Sequence, residues 1–227
     1  MQPDRAIIHT DAVKSNCEVP CRVMKYRVVR FKSLKEALKE LEPFIRNGEH
    51  LQTGKPFKKF GGMRSREVLA NWLLCVAINA TDNRTLTFSS DPLGGDGIIC
   101  DPATDETWPT EHVMVPRLRP GQTGDCEALI LKAIEQKRSK GGATYATGKT
   151  LIVFLEAGGG IWFPNKVARR LPNPLLFAAA WVVGLHGVSS GEYVYNVTCL
   201  DISDGDAPAV RVRVGKDFHA WTVNRIQ

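Results

Sequence analysis

Residues 85–115 read TLTFSSDPLGGDGIICDPATDETWPTEHVMV, and the fold turns on how this stretch divides. Three short runs, Thr85–Phe88, Asp96–Asp101 and Glu111–Val115, are separated by turn-forming segments containing Asp91-Pro92, Gly94-Gly95 and Asp101-Pro102. That spacing predicts three successive strands. On the N-terminal side, Val68, Leu69, Trp72, Leu73, Val76 and Ala77 recur at helical intervals, and Leu74, Cys75 and Ile78 fill the remaining face. A helix over about 64–79, apolar nearly all round, belongs in a core. On the C-terminal side, a helix is predicted from about Asp125 to Lys140, ending at Gly141-Gly142, where glycine accepts a left-handed cap. Leu151–Leu155 is a continuous apolar run, as expected of a strand covered on both faces.

Farther out, Ser33-Leu34-Lys35-Glu36 has capping-box spacing and opens a helix expected to stop at Pro43. Residues 46–63 read as a loop, and Arg22–Phe31 alternates as a basic strand within an N-terminal arm, residues 1–32. Strands are expected at Trp181–Leu185, Tyr193–Leu200 and Val210–Val214, with turns at Ser190-Gly191 and Asp204-Gly205 and a hairpin turn at Gly158-Gly159-Gly160. The expected fold is α/β (α+β): a mixed central sheet flanked by helices, one domain over 1–227, with a core at 64–155 and a β-rich extension at 156–227.

Of the 227 residues, 43% are hydrophobic and 24% charged, which is globular rather than disordered composition. No apolar run, Ala178–Val183 among them, comes near the length of a bilayer span, and Met1–Asp11 has no signal-peptide core. Four of the six cysteines sit in apolar stretches and read as reduced thiols, while Cys17 and Cys21 have no second pair with which to build a zinc site. A cytoplasmic protein without structural disulfides is the expectation. Net charge is +6 but unevenly spread: Arg22–Arg66 carries +9, Asp82–Glu111 carries −6 and Lys137–Lys149 carries +4. An acidic centre between basic flanks suits a metal-dependent enzyme acting on a polyanion. Chance segregation along a mixed surface gives the same profile.

Three acids fall on successive elements: Glu67 on the buried helix, Asp96 entering one strand and Glu111 entering the next. Two carboxylates held together repel unless a cation joins them, and hard oxygen donors suit Mg²⁺ or Mn²⁺. In this order the acids resemble the PD-(D/E)XK nuclease superfamily, over roughly residues 64–155. The resemblance implies a restriction-endonuclease-like core with extra C-terminal strands. It also implies Asp96 as the motif aspartate, Glu111 as the acidic member of the second motif and Glu67 as the helix glutamate, together holding the metal. The second motif departs from the pattern, because Glu111-His112-Val113 carries no lysine. Some members draw that lysine from the following helix, and Lys137 lies on the face shared by Cys126, Leu129, Ile130, Ala133 and Ile134.

Plainer readings stand beside these. Glu67 suits a helix N-terminus, Asp96 a glycine-rich turn and Glu111 a solvated strand end. Lys137 suits a last helical turn, its stem running past the core. Gln136, Lys140 and Tyr145 are candidate phosphate contacts, and His112 should face away from Glu111. Trp162, Trp181 and Trp221 read as core or sheet-face residues. The sequence reading is therefore a divalent-metal-dependent nuclease, or nuclease-like protein, acting on DNA or RNA phosphodiesters, with Asp96, Glu111 and Lys137 catalytic. The alternative is a non-catalytic protein of the same fold that binds a protein or nucleic-acid partner. Neither reading calls for a membrane, and the oligomeric state is open.

Overall fold

The computed structural model describes residues 33–118, 124–156 and 161–227. The basic strand expected at Arg22–Phe31, Cys17, Cys21 and Gly158-Gly159-Gly160 lie outside the described residues. Among the described residues five helices, α1 (Leu34–Arg46), α2 (Glu49–Thr53), α3 (Ser65–Asp82), α4 (Cys126–Ala146) and α5 (Pro164–Ala168), accompany eight strands. These are β1 (Thr87–Ser89), β2 (Ile98–Asp101), β3 (Glu106–Val115), β4 (Thr150–Leu155), β5 (Ala179–Ser189), β6 (Glu192–Cys199), β7 (Ala209–Val214) and β8 (Trp221–Arg225). All eight join one mixed sheet in sequence order, with β3, β4 and β5 parallel and every other neighbour pair antiparallel. The chain is thus an α+β protein. The three strands expected between 85 and 115 are neighbours, and the 151–155 run joins their sheet.

The all-round apolar character of α3 has a direct cause. It packs against α1 and α2 on one side and touches β1, β2, β4, β6, β7 and β8 on the other, so the sheet curls around it. Val68 to Ala77 is buried without a break. The other sheet face is covered by α4 and α5, whose Ile130, Ile134 and Val167 meet Leu151, Val153, Ala180 and Val182. β4 alternates accordingly: Ile152 and Phe154 face α3, Leu151 and Val153 face α4. Cys75, Cys100, Cys126 and Cys199 are all buried thiols.

Several boundaries differ from expectation. α1 runs through Pro43 to Arg46, because Leu38, Leu41 and Ile45 bury one stripe and that packing outweighs the lost amide hydrogen bond. Ser33 is the N-cap of α1 but its side chain makes no capping hydrogen bond. The segment expected to be a loop holds α2 and a 3₁₀ turn, Lys58–Phe60, pinned by the ring contacts Phe44–Phe57 and Phe57–Phe60. β4 and β5 are parallel, so no hairpin joins them. Asp96 precedes β2 rather than opening it, and Glu111 lies inside β3, which begins five residues earlier. β8 was not anticipated: its short, mostly polar alternation carries little strand signal, and Trp221 earns its place edge-on against Trp72, with centroids 5.2 Å apart.

Candidate active site

β3 changes neighbours half-way along its length. Glu106–Pro109 pair with β2, whereas Thr110–Val115 pair with β4 on the opposite edge. The last backbone bond on the β2 side runs from the Thr110 amide to the Gly97 carbonyl, 2.8 Å. At Gly97 the chain turns away with φ +146°, and a side chain there would collide with Asn71. The next amide on that edge, His112 N–H, would be left without a strand partner. It donates instead to the Asp96 carboxylate, Oδ2 at 2.7 Å. An acidic side chain replaces the missing carbonyl, satisfying a half-buried donor. Asn71, a polar residue inside an otherwise apolar stretch of α3, fixes this corner: its Nδ2 donates to the Asp96 carbonyl at 3.2 Å and its Oδ1 accepts from Thr110 Oγ1 at 2.9 Å.

Glu111 is in register with Leu151 and so faces α4. Lys137, on that face of α4, places its Nζ 3.1 Å from Glu111 Oε2 and 3.7 Å from Asp96 Oδ2. Lys149, the residue before β4, donates to Glu111 Oε1 at 2.8 Å. The Tyr145 hydroxyl also donates to Glu111 Oε2. Tyr145 reaches this position because α4 breaks at Gly142 (φ 56°, ψ −152°) and resumes for one turn, a conformation open only to glycine. Its ring lies among three ammonium groups, at 4.3 Å from Lys149, 5.7 Å from Lys140 and 6.0 Å from Lys137.

These contacts set opposite proton affinities on the two acids. Burial and the neighbouring Glu111 charge raise the Asp96 pKa, against the His112 amide and Lys137, which pull it down. Burial would raise Glu111 too, but Lys149, Tyr145 and Lys137 together bring it down to about 2. Desolvation, and then the bond to Glu111, lift the Tyr145 phenol above its ordinary range. Two neighbouring carboxylates driven apart in this way, one raised and one lowered, are an arrangement found at functional sites.

Of the three acids read from the sequence, Asp96 and Glu111 come together under one ammonium group. Glu67 serves as the cap of α3: its Oε2 accepts from the Arg64 amide at 2.8 Å and its Oε1 lies 3.8 Å from Arg64 Nε. It is still near enough for Asp96 to add to the rise that burial gives its pKa. His112 takes the opposite sheet face, paired in register with Ile152. Both its ring nitrogens are buried without a hydrogen-bond partner, and desolvation lowers its pKa to about 3. Among the described residues, no three His, Cys, Asp or Glu side chains are grouped to hold a metal ion.

Lys137 was found from the helical wheel, whereas Lys149 and Asn71 were missed. Lys149 depends on the register of β4 against β3, which sequence spacing does not encode. Asn71 carried a usable signal, a lone amide in an apolar helix. Comparison of the chain with protein-family profiles, with curated proteins and with solved structures finds no match to any of them. Among the described residues, no helix is long and apolar enough to cross a membrane.

Proposed function

We propose that the protein is a divalent-metal-dependent phosphodiesterase acting on nucleic acid, with a restriction-endonuclease-like core formed by α3, β1, β2, β3, α4 and β4. The observation that carries this reading is the Asp96–Glu111 pair, with Lys137 Nζ 3.7 Å from one carboxylate and 3.1 Å from the other. The order of elements supports it: a central helix, three antiparallel strands, a crossover helix and a parallel strand. The flanking charge supports it as well. Lys137, Lys140 and Lys149 lie on the α4 side, while Arg66 acts electrostatically on Asp96 from the N-terminus of α3.

The donor set fits a hard cation. Mg²⁺ is commonly held by one or two carboxylates, with water and substrate phosphate completing its shell, so a pair of acids without a third ligand is sufficient. Asp96 and Glu111 would hold it, and it would supply Lewis-acid stabilisation of charge on the phosphoryl group. The protein groups do the rest. Asn71 and the His112 amide fix Asp96, Tyr145 orients Glu111, and Lys137 sits where an ammonium steadies a phosphate oxygen. A polyanion competes with Glu111 for Lys137 and Lys149, so substrate and cation each favour binding of the other.

The test is incubation with supercoiled DNA and with single-stranded RNA, with Mg²⁺ or Mn²⁺ and with chelator. Cation-dependent cleavage of either is expected. One observation favours the non-catalytic reading, namely that Glu111 is already paired with two ammonium groups and accepts a hydrogen bond from a phenol. Salt-sensitive nucleic-acid binding without cleavage, and without Mn²⁺ binding by calorimetry, would establish that reading instead.

A further inference from the structure

The offset that opens one edge of β3 to Asp96 leaves a gap on its other edge. No β4 residue pairs with Glu106–Pro109, because β4 begins at Thr150, opposite Thr110. The side chains a longer β4 would have supplied are missing beneath the C-terminal half of α3. A cavity of about 710 Å³ occupies that space. It lies on the α3 face of the sheet, remote in role from Glu111, which faces α4. Its volume is within the range of small-molecule sites, roughly 300–1,000 Å³.

The walls and the mouth differ in chemistry. Ile78, Ala179 and Trp181 give the open apolar surface, with Leu74, Ile99, Val197 and the largely buried Trp108 packed behind them. The polar lining is acidic: Asp82, Glu106, Asp201, Asp204 and Asp206 against Arg84 and Arg225. Arg84 is committed, held by Asp101 at 3.0 Å and Glu106 at 3.1 Å with its guanidinium 4.9 Å over the Trp108 ring. The last turn of α3, Thr81 and Asp82, also lines the cavity, bringing the carbonyl end of an 18-residue helix to its rim. A chain of net charge +6 thus presents one apolar recess of reversed sign.

We infer that this cavity binds a small amphiphilic organic cation, an ammonium or guanidinium group on a hydrocarbon or aromatic body. The body fills the recess against Ile78 and Trp181, and the cation meets the carboxylates and the helix carbonyl end at the mouth. An anion of the same shape would face a rim with more acids than bases and is disfavoured.

Calorimetric titration of the full chain with three probes tests this. These are 4-phenylbutylamine, 4-phenylbutyrate with the same body and opposite charge, and propylamine with the charge and little body. The arylamine is expected to bind at least tenfold more tightly than either other probe. The variant Asp82→Asn/Asp204→Asn, altered only at exposed rim positions, should weaken the arylamine about tenfold while leaving the thermal transition unchanged. Amide and indole NMR shifts should centre on Ile78 and Trp181. Equal affinity for amine and carboxylate, no binding at millimolar probe, or shifts confined to other surfaces would each overturn the inference. Nuclease activity does not enter the readout, so the two readings stand or fall separately.

Discussion

Exchange of Glu111 for glutamine is expected to remove cation-dependent cleavage almost completely, with a loss of about 10³-fold or more. A bound divalent ion is worth several kcal/mol of charge stabilisation, and each increment of about 1.4 kcal/mol is a factor of ten in rate. Glutamine keeps the shape and can still accept from Tyr145, but it presents one neutral oxygen where the protein now holds a carboxylate ionised down to about pH 2. Asp96→Asn should cost a similar factor through the same loss of charge. Lys137→Met is expected to cost less, about 10²-fold, because it removes one ammonium contact and leaves both acids. The measurement is kcat/KM on whichever phosphodiester the wild type cleaves, with circular dichroism to show that each variant is folded. Activity within a few-fold of wild type for both acid variants would remove Asp96 and Glu111 from the reaction.

Acidification should destabilise the fold through His112. Its imidazole is held neutral by burial, with a pKa of about 3 against an ordinary value near 6.5. Above pH 6.5 neither the folded nor the unfolded chain protonates it, so its contribution is complete. Below that, the unfolded chain takes up a proton that the folded chain refuses, and stability falls by about 1.4 kcal/mol per pH unit. At pH 4.5 the loss amounts to roughly 3 kcal/mol, a large share of an ordinary domain's stability. Asp96 and Glu67 work in the opposite sense, since their raised pKa values let the folded protein bind protons early. The effect is therefore read as a difference: urea unfolding at pH 7.5 and 4.5, for wild type and for His112→Leu. The wild type should lose about 3 kcal/mol more than the variant over that interval. Equal losses would show that His112 titrates normally.

The parts of this fold that the sequence announced are those where burial alone decides. Val68–Ala77, apart from Asn71, and Leu151–Phe154 are apolar on every side because each is covered on every side. Lys137 was readable for the related reason that a charged side chain on an apolar helix face needs a polar partner beneath it. What depended on register stayed hidden. Whether Lys149 meets Glu111 follows from which residue of β4 lies opposite Thr110, and a slip of one position would send it to the other face. Tyr145 depended on a break at Gly142, where the sequence shows only the end of a helix. Pro43 carries a local stop signal that the burial of Leu38, Leu41 and Ile45 overrides.

The hydrogen bond from the His112 amide to Asp96 also makes that single N–H a spectroscopic witness. Amides of β3 that pair with a neighbouring strand exchange with deuterium when the sheet opens. This one is held by a carboxylate at 2.7 Å, so its chemical shift and exchange rate follow the charge and occupancy of Asp96. Titration with Mg²⁺ or Mn²⁺ should perturb it first among the β3 amides, and Asp96→Asn should abolish that selectivity. A perturbation spread evenly along β3 would mean that the cation binds elsewhere. A proton that takes no part in the proposed chemistry would then report, residue by residue, when the site is filled.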